Sequence, residues 1–271
     1  MSYIDIDRVW KHYAQTPVLE QIHTTVERGA FVTLVGTSGC GKSTFLKMLL
    51  GVEQPTQGHI KLEGAPIKAE PDADRGIVFQ RYSVFPHLNV RDNILLALEL
   101  PARKFTARLF GAVRKRALRQ VDEMIDQVGL GHAASRYPHE LSGGMQQRLA
   151  IAQALIAKPK ILLLDEPFGA LDPGIRKDMH TLVKSLWREE GLTIFMVTHD
   201  LQEAFTLGSR LWVFDKIRHD PQAPNRYGST ITYDLDLSDK TLRLDNETLS
   251  DEIRHNVLKH DTESMEVHDA S

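Results

Sequence analysis

An α/β fold on a parallel sheet is what this sequence predicts, and three observations predict it. Apolar runs of strand length recur at residues 31–35, 76–79, 161–164 and 193–198. Segments of helical periodicity stand between and after them, at about 90–100, 113–128, 143–157, 174–190 and 200–207. The first apolar run, Phe31-Val32-Thr33-Leu34-Val35, leads at once into Gly36 and a glycine-rich turn. Strands that are apolar throughout are covered on both faces, and helices between them are the crossovers of a parallel sheet.

In chain order, residues 2–10 and 18–27 are short, partly alternating and rich in Ile, Val, Thr and aromatics, which predicts two strands. A helix is expected from about Lys42 to Leu50, ended by Gly51. Composition changes near Lys216: Pro221, Pro224 and Gly228 punctuate a loop, and residues 230–237 then alternate with period two as an outer strand. The C-terminal residues are polar, with a short helix expected around Ile253, Val257 and Leu258 and a frayed tail beyond His260. There is no internal repeat and no low-complexity tract.

The 271 residues are 42% hydrophobic, 25% charged and 7% aromatic, enough apolar area for a real core and against wholesale disorder. With 33 Lys+Arg against 36 Asp+Glu the net charge is −3, so no basic excess points to nucleic acid. One cysteine makes no internal disulfide, which fits a reducing compartment. The N-terminus is acidic and alternating, unlike a signal peptide, and no apolar stretch reaches the ~18 residues of a membrane helix. A soluble chain is expected, with any work at a membrane done from outside it.

The strongest chemical signal is Gly36-Thr37-Ser38-Gly39-Cys40-Gly41-Lys42-Ser43-Thr44, which matches G-x-x-x-x-G-K-[ST] between an apolar strand and a helix. Glycines let backbone N–H groups turn inward around phosphate oxygens, and the helix start adds about half a positive charge. Lys42 is expected to reach β- and γ-phosphates, and the Ser43 hydroxyl to ligate Mg²⁺. The second signal is the apolar run ending in Asp165-Glu166-Pro167. Two carboxylates beside a phosphate site need a cation; Asp165 suits the Mg²⁺ shell, and Glu166 is placed to polarise a water for in-line attack. The third is Leu141-Ser142-Gly143-Gly144-Met145 at a helix start. Ser142 reads there either as an N-cap or as part of a second anion site.

Together these motifs resemble the ATP-binding subunit of an ABC transporter over about residues 3–216, with Leu141-Ser142-Gly143-Gly144-Met145 in the place of the family's signature motif. Gln80 stands where the family has its Q-loop glutamine, Ala170-Leu171-Asp172 resembles the D-loop, His199 the switch histidine, and Tyr13 the aromatic stacked on adenine. The resemblance implies a P-loop NTPase, an ABC ATPase cassette with a RecA-like core, an N-terminal antiparallel β-subdomain and an α-helical subdomain at about 86–160. It sets the cassette at 1–216 and a short, partly β extension with a polar tail at 217–271.

It further implies ATP and Mg²⁺ as cofactors and a head-to-tail pair of two copies. Ser142, Gly143 and Gly144 of one copy would cover the nucleotide that residues 36–44 of the other hold, and Ser43, Gln80 and Asp165 would hold the metal. Glu166, His199, Lys42 and Gln80 would carry the catalysis, with Asp172 facing the partner's site. The segment from Arg81 to Pro86 would receive a helix of the membrane subunit. Transmembrane permease subunits, a solute-binding protein and a peripheral place on the cytoplasmic face of the inner membrane follow from the same resemblance.

Two departures stand out. Met145 replaces the usual signature glutamine, and Cys40 lies inside the phosphate loop, where a partly exposed thiol with a lowered pKa is expected near helix N–H groups. Residues 101–120 carry Arg103, Lys104, Arg108, Arg114, Lys115, Arg116 and Arg119 and no acid, either a solvated face or one near anionic headgroups. His255, His260 and His268 are too irregularly spaced for a metal shell. Among functions, the resemblance favours an importer ATPase of the nitrate, sulfonate and taurine branch, or a urea- or guanidine-related one. The C-terminal extension is too short for the regulatory barrel of sugar-type importers. An exporter or lipoprotein-release ATPase and a soluble non-transport ATPase are the alternatives.

Overall fold

The computed structural model describes residues 2–80, 83–100, 111–218, 220, 222–223, 226–238 and 253. Its elements run β1 (Ile4–Tyr13), β2 (Thr16–Val26), β3 (Phe31–Gly36), α1 (Lys42–Leu50), β4 (Gln57–Leu62), β5 (Ala65–Pro66), β6 (Arg75–Val78), α2 (Val90–Glu99) and α3 (Gly111–Gln127). They continue α4 (Gly143–Leu155), β7 (Ile161–Asp165), α5 (Pro173–Glu190), β8 (Thr193–Val197), α6 (Leu201–Leu207), β9 (Arg210–Asp215) and β10 (Thr230–Asp236). The described residues form two compact units: those up to Glu70 with those from Phe195 onward, and Pro71–Ile194.

In the first unit, β2, β1, β4 and β5 make an antiparallel sheet in that order. Ile4 and Ile6 of β1 are buried, then Val9 and Lys11, so the inward phase slips by one residue at Arg8. Arg8 has φ +46°, and the pairing with both neighbours shifts there, which is a β-bulge. Gly58 of β4 fits against the bulge because a Cβ there would lie 2.2 Å from the Arg8 carbonyl oxygen.

The same unit holds β3 parallel to β9, in register from Val32↔Arg210 to Gly36↔Phe214, and β10 antiparallel on the other edge of β9. Phe45 of α1 packs on the rings of Phe195, Trp212 and Phe214 at centroid distances of 6.5, 5.9 and 5.6 Å. Across the sheet, Leu201, Ala204 and Phe205 of α6 join Val35, Leu211, Val213, Leu237 and Ile253. The alternation at 230–237 therefore predicts β10 correctly, and Ile253 is helical and buried.

In the second unit β6 pairs β7 in parallel, from Arg75↔Ile161 to Val78↔Leu164. A helical cluster joins Val90 and Ile94 of α2, Val121 and Ile125 of α3, and Leu149 and Ala152 of α4. Asn89 caps α2 by accepting from the Asp92 N–H at 2.8 Å. The fully buried Asn93 accepts from the Phe85 N–H and donates to the Leu88 carbonyl, both at 2.8 Å, which pins the loop before the helix.

Sequence patterning leaves β4, β5 and β9 unpredicted. In β4 only Ile60 is buried, and Gly58 breaks the alternation. Arg114, Lys115, Arg116 and Arg119 are exposed on α3. Arg103, Lys104 and Arg108, Arg81 and Tyr82, Pro221 and Pro224, Val257 and Leu258, and His255, His260 and His268 lie outside the described residues.

Candidate functional site

The phosphate loop joins β3 to α1 in the first unit, and its backbone explains its glycines. A Cβ on Gly36 would lie 2.2 Å from the Phe214 carbonyl oxygen, and one on Gly41 would lie 2.7 Å from Leu19 Cδ2. Gly39 and Gly41 have φ +79° and +91°, in the left-handed region that glycine adopts without penalty. Gly41 is the N-cap of α1 and, being a glycine, offers the first N–H groups no side-chain acceptor. A helix start without a side-chain cap is the kind of place where phosphate binds.

Lys42 is buried, and its Nζ donates to the carbonyls of Gly36 and Thr37, both at 2.8 Å. The ammonium is thus held over the loop. Ser38, Gly39 and Ser43 are exposed, and Thr37 and Thr44 are half-buried. Cys40 corrects an expectation: its thiol is buried at 4% exposure, not partly exposed. Burial pushes its pKa above the ordinary 9.0, outweighing the attraction of Lys42. Tyr13, at the end of β1, is exposed, with the Lys11 ammonium 4.9 Å from its ring centroid.

His199 is exposed in the turn between β8 and α6. That turn is tied by the buried Glu203, whose Oε2 accepts from Thr198 Oγ1 at 2.5 Å. Asp200 caps α6 by accepting from the Gln202 and Glu203 N–H groups. Glu203 has no place among the sequence-predicted residues; the signal for it was Asp200 three positions ahead, the spacing of a capping box.

The second unit brings Gln80, Asp165 and Glu166 together. Asp165 closes β7 and is half-buried, as is Glu166, whose backbone has φ +47°. A non-glycine residue in that region costs about 1–2 kcal/mol, a strain the surrounding turn sustains to aim this side chain. Gln80 Nε2 donates to Glu166 Oε2 at 3.3 Å, so the second residue after β6 meets the first after β7.

Ser142 caps α4 by accepting from the Met145 N–H at 3.3 Å and remains exposed, as does Gly143. The loop ahead of it is fixed by Gln146 Nε2, which donates to the Pro138 and Leu141 carbonyls at 2.9 and 3.3 Å. A Cβ on Gly144 would lie 2.4 Å from Ile175 Cγ2, so only glycine lets α4 and α5 approach this closely. Met145 packs against the helical cluster, which accounts for an apolar residue at that position. Asp172 is exposed and caps α5 by accepting from the Ile175 N–H at 3.1 Å.

Among the described residues no three His, Cys, Asp or Glu side chains gather into a metal cage.

The ABC transporter family model matches residues 19–169, over half the chain. The chain belongs to the ABC transporter family. It is 45% identical over 197 residues to the aliphatic sulfonates import ATP-binding protein SsuB of Bacillus licheniformis, covering 73% of this chain and 72% of that one. It is 41% identical over 214 residues to the nitrate import ATP-binding protein NrtD of Synechocystis, covering 79% and 77%. It is 47% identical over 193 residues to the bicarbonate transport ATP-binding protein CmpC of Synechococcus elongatus, covering 71% of this chain but only 28% of that protein's length.

A dimeric post-hydrolysis state of the ATP-binding cassette MJ0796, bound to ADP and Pi, superposes with a TM-score of 0.69 at 27% identity, covering 86% of this chain and 98% of that one. The ABC ATPase fold expected from the motifs is the fold observed. The chain is an ATP-binding, ATP-hydrolysing subunit of an ABC transporter. No helix among its described residues is long and apolar enough to cross a membrane.

Proposed function

We propose that this subunit drives an importer for a small nitrogen- or sulfur-containing solute, of the nitrate, sulfonate or taurine type or a urea- or guanidine-related one. The observation that carries this is the match to sulfonate and nitrate import subunits along 72% and 77% of their own lengths. In this reading residues 1–216 are the cassette, with the helical subdomain at about 86–160, and 217–271 the C-terminal extension. The subunit sits on the cytoplasmic face of the membrane, paired with a second copy and bound to permease subunits that a solute-binding protein supplies.

Residues 36–44 wrap the phosphates, Lys42 turns its ammonium from the loop carbonyls to the β- and γ-phosphates, and Tyr13 stacks on adenine. Ser43, Gln80 and Asp165 would hold Mg²⁺, which when bound neutralises phosphate charge. Glu166 accepts the proton of the attacking water, and Gln80 orients Glu166 through the bond already formed between them. His199 holds the γ-phosphate end. Ser142, Gly143 and Gly144 close on the partner's nucleotide, and Asp172 faces that partner. In the second unit, Phe79, Phe85, Ala97, Leu100, Ala150 and Ala154 line an apolar groove beside Gln80, suited to a helix of the permease.

Glu166→Gln tests the site. With ATP and Mg²⁺ it should shift from monomer to dimer on size exclusion while hydrolysis falls at least about 100-fold, in line with loss of a general base. Wild-type hydrolysis in the variant would remove Glu166 from its role. Uptake of nitrate, taurine and urea by proteoliposomes holding the whole transporter tests the solute class; uptake of none of them refutes it.

A further inference from the structure

The residues that follow β9 back the segments against which both ends of the phosphate loop lie. At the loop's start, Gly36 lies against the Phe214 carbonyl, and Phe214 is paired across β9 with Ile231 of β10. The β10 pairing slips between Ile231 and Tyr233, and there Thr232 Oγ1 donates to the Val213 carbonyl at 3.2 Å, which fixes the register beside the loop. At the loop's other end, Gly41 lies against Val18 and Leu19 of β2. Those two residues are clamped from behind: the Ser229 N–H donates to the Val18 carbonyl at 3.0 Å, and the Glu20 N–H donates to the Ser229 carbonyl at 2.9 Å. Gly228 makes the approach possible, since a Cβ there would lie 3.0 Å from Glu20 Cγ, from the Leu19 nitrogen and from the Val18 carbonyl carbon.

Ser229 is fully buried, although its hydroxyl has no hydrogen-bond partner among the described residues. Its contribution here is through its backbone, which makes both hydrogen bonds to β2. Further along, Arg210 donates to both carboxylate oxygens of Asp234 at 2.6 Å, and Thr24 Oγ1 donates to Asp234 at 3.1 Å, locking β10 to β2 as well as to β9.

We propose that Gly228, Ser229 and β10 form a brace that positions the phosphate loop, so that residues outside the nucleotide contacts set the affinity for ATP. This deepens the reading of residues 36–44 as the ATP site and rests on it. Gly36 and Gly41 have no side chains to absorb a shift, so displacement of Phe214 or Leu19 passes directly to the backbone N–H groups that face phosphate. Coupling of this kind is reciprocal: if the brace tightens ATP, ATP must tighten the brace.

The experiment uses the full-length protein and a fluorescent ATP analogue, with circular dichroism to establish folding. Gly228→Val should push residues 228–229 off β2 and weaken nucleotide binding about 5- to 20-fold at unchanged helical signal. Ser229→Ala, which keeps both backbone hydrogen bonds, should bind within 2-fold of wild type. Hydrogen exchange on the wild-type protein covers the case in which Gly228→Val does not fold. Adding ATP should slow exchange of the Glu20 and Ser229 amides at least 3-fold, although neither residue belongs to the ATP site. Unchanged affinity in a folded Gly228→Val, or exchange at Glu20 and Ser229 indifferent to ATP, overturns the brace. Lys42→Ala separates the two readings: if it binds the analogue as tightly as wild type, the ATP site itself is misassigned. If Lys42→Ala loses binding while Gly228→Val keeps it, the brace alone fails.

Discussion

Cys40 shows how one residue's surroundings reverse an expectation drawn from its neighbours in sequence. Glycines on either side and a helix start just ahead suggest an open, acidified thiol. The folded loop instead turns the side chain inward, 3.4 Å from the Lys42 ammonium, and desolvation outweighs that charge. With the thiol raised above its ordinary pKa, the thiolate fraction at pH 7–8 is smaller than that of a free cysteine, and so is the rate of alkylation. Iodoacetamide at pH 8 should label native protein at least about 10-fold more slowly than the same chain in urea, the ratio expected of a buried thiol with a raised pKa. The native rate should keep rising with pH beyond the point at which a free thiol levels off. Equal rates in the two states would restore an exposed, reactive Cys40. The left-handed backbone of Glu166 is another feature no pattern of residue types displays, because strain at one φ angle leaves no periodic trace.

At the scale of elements, what could be read from the sequence depended on how local the cause was. The phosphate loop, the Ser142 cap and the apolar strands β3, β7 and β8 follow from residues within one turn or one run, and the sequence displays them. β4 was hidden because its partner's bulge demands Gly58, a residue that reads as a turn. β9 is a continuous apolar run, Leu211-Trp212-Val213-Phe214, but it stands next to the change in composition near Lys216, which obscures it as an element. Gly144 carries two demands at once. In the proposed reading a signature helix presented to phosphate needs a bare backbone, and the contact of α4 with Ile175 of α5 needs the same atom to be missing. Gly144→Ala should therefore destabilise the protein by about 1–3 kcal/mol, the usual cost of overpacking, as well as lower ATPase activity. Denaturant melts check the first part. The paired change Gly144→Ala with Ile175→Ala should recover most of the stability, and a failure to recover it would mean that packing against Ile175 is not what fixes the glycine.

Across the whole molecule, the proposed site residues are divided between the two compact units: Tyr13, residues 36–44 and His199 belong to one, Gln80, Ser142, Asp165 and Glu166 to the other. In the proposed reading, phosphate holding by Lys42 and proton transfer by Glu166 can therefore be perturbed separately. A ligand that binds only the folded state stabilises it by RT ln(1 + [L]/Kd), about 2.7 kcal/mol at a hundredfold excess over Kd. Domains of 150–250 residues gain roughly 2–4 °C in Tm per kcal/mol, so ATP at that excess should raise the melting temperature by about 5–10 °C. Two units can melt in two steps, and the step that moves should be the one holding the phosphate loop. Glu166→Gln should keep the shift in full, since in the proposed reading Glu166 serves the reaction and not the holding of the phosphates. Lys42→Ala should lose it, because the ammonium poised over Gly36 and Thr37 is the charge that the phosphates meet. A Lys42→Ala protein that ATP still stabilises, or a Glu166→Gln protein that it does not, would show that binding is shared between the units differently from the division proposed for these side chains.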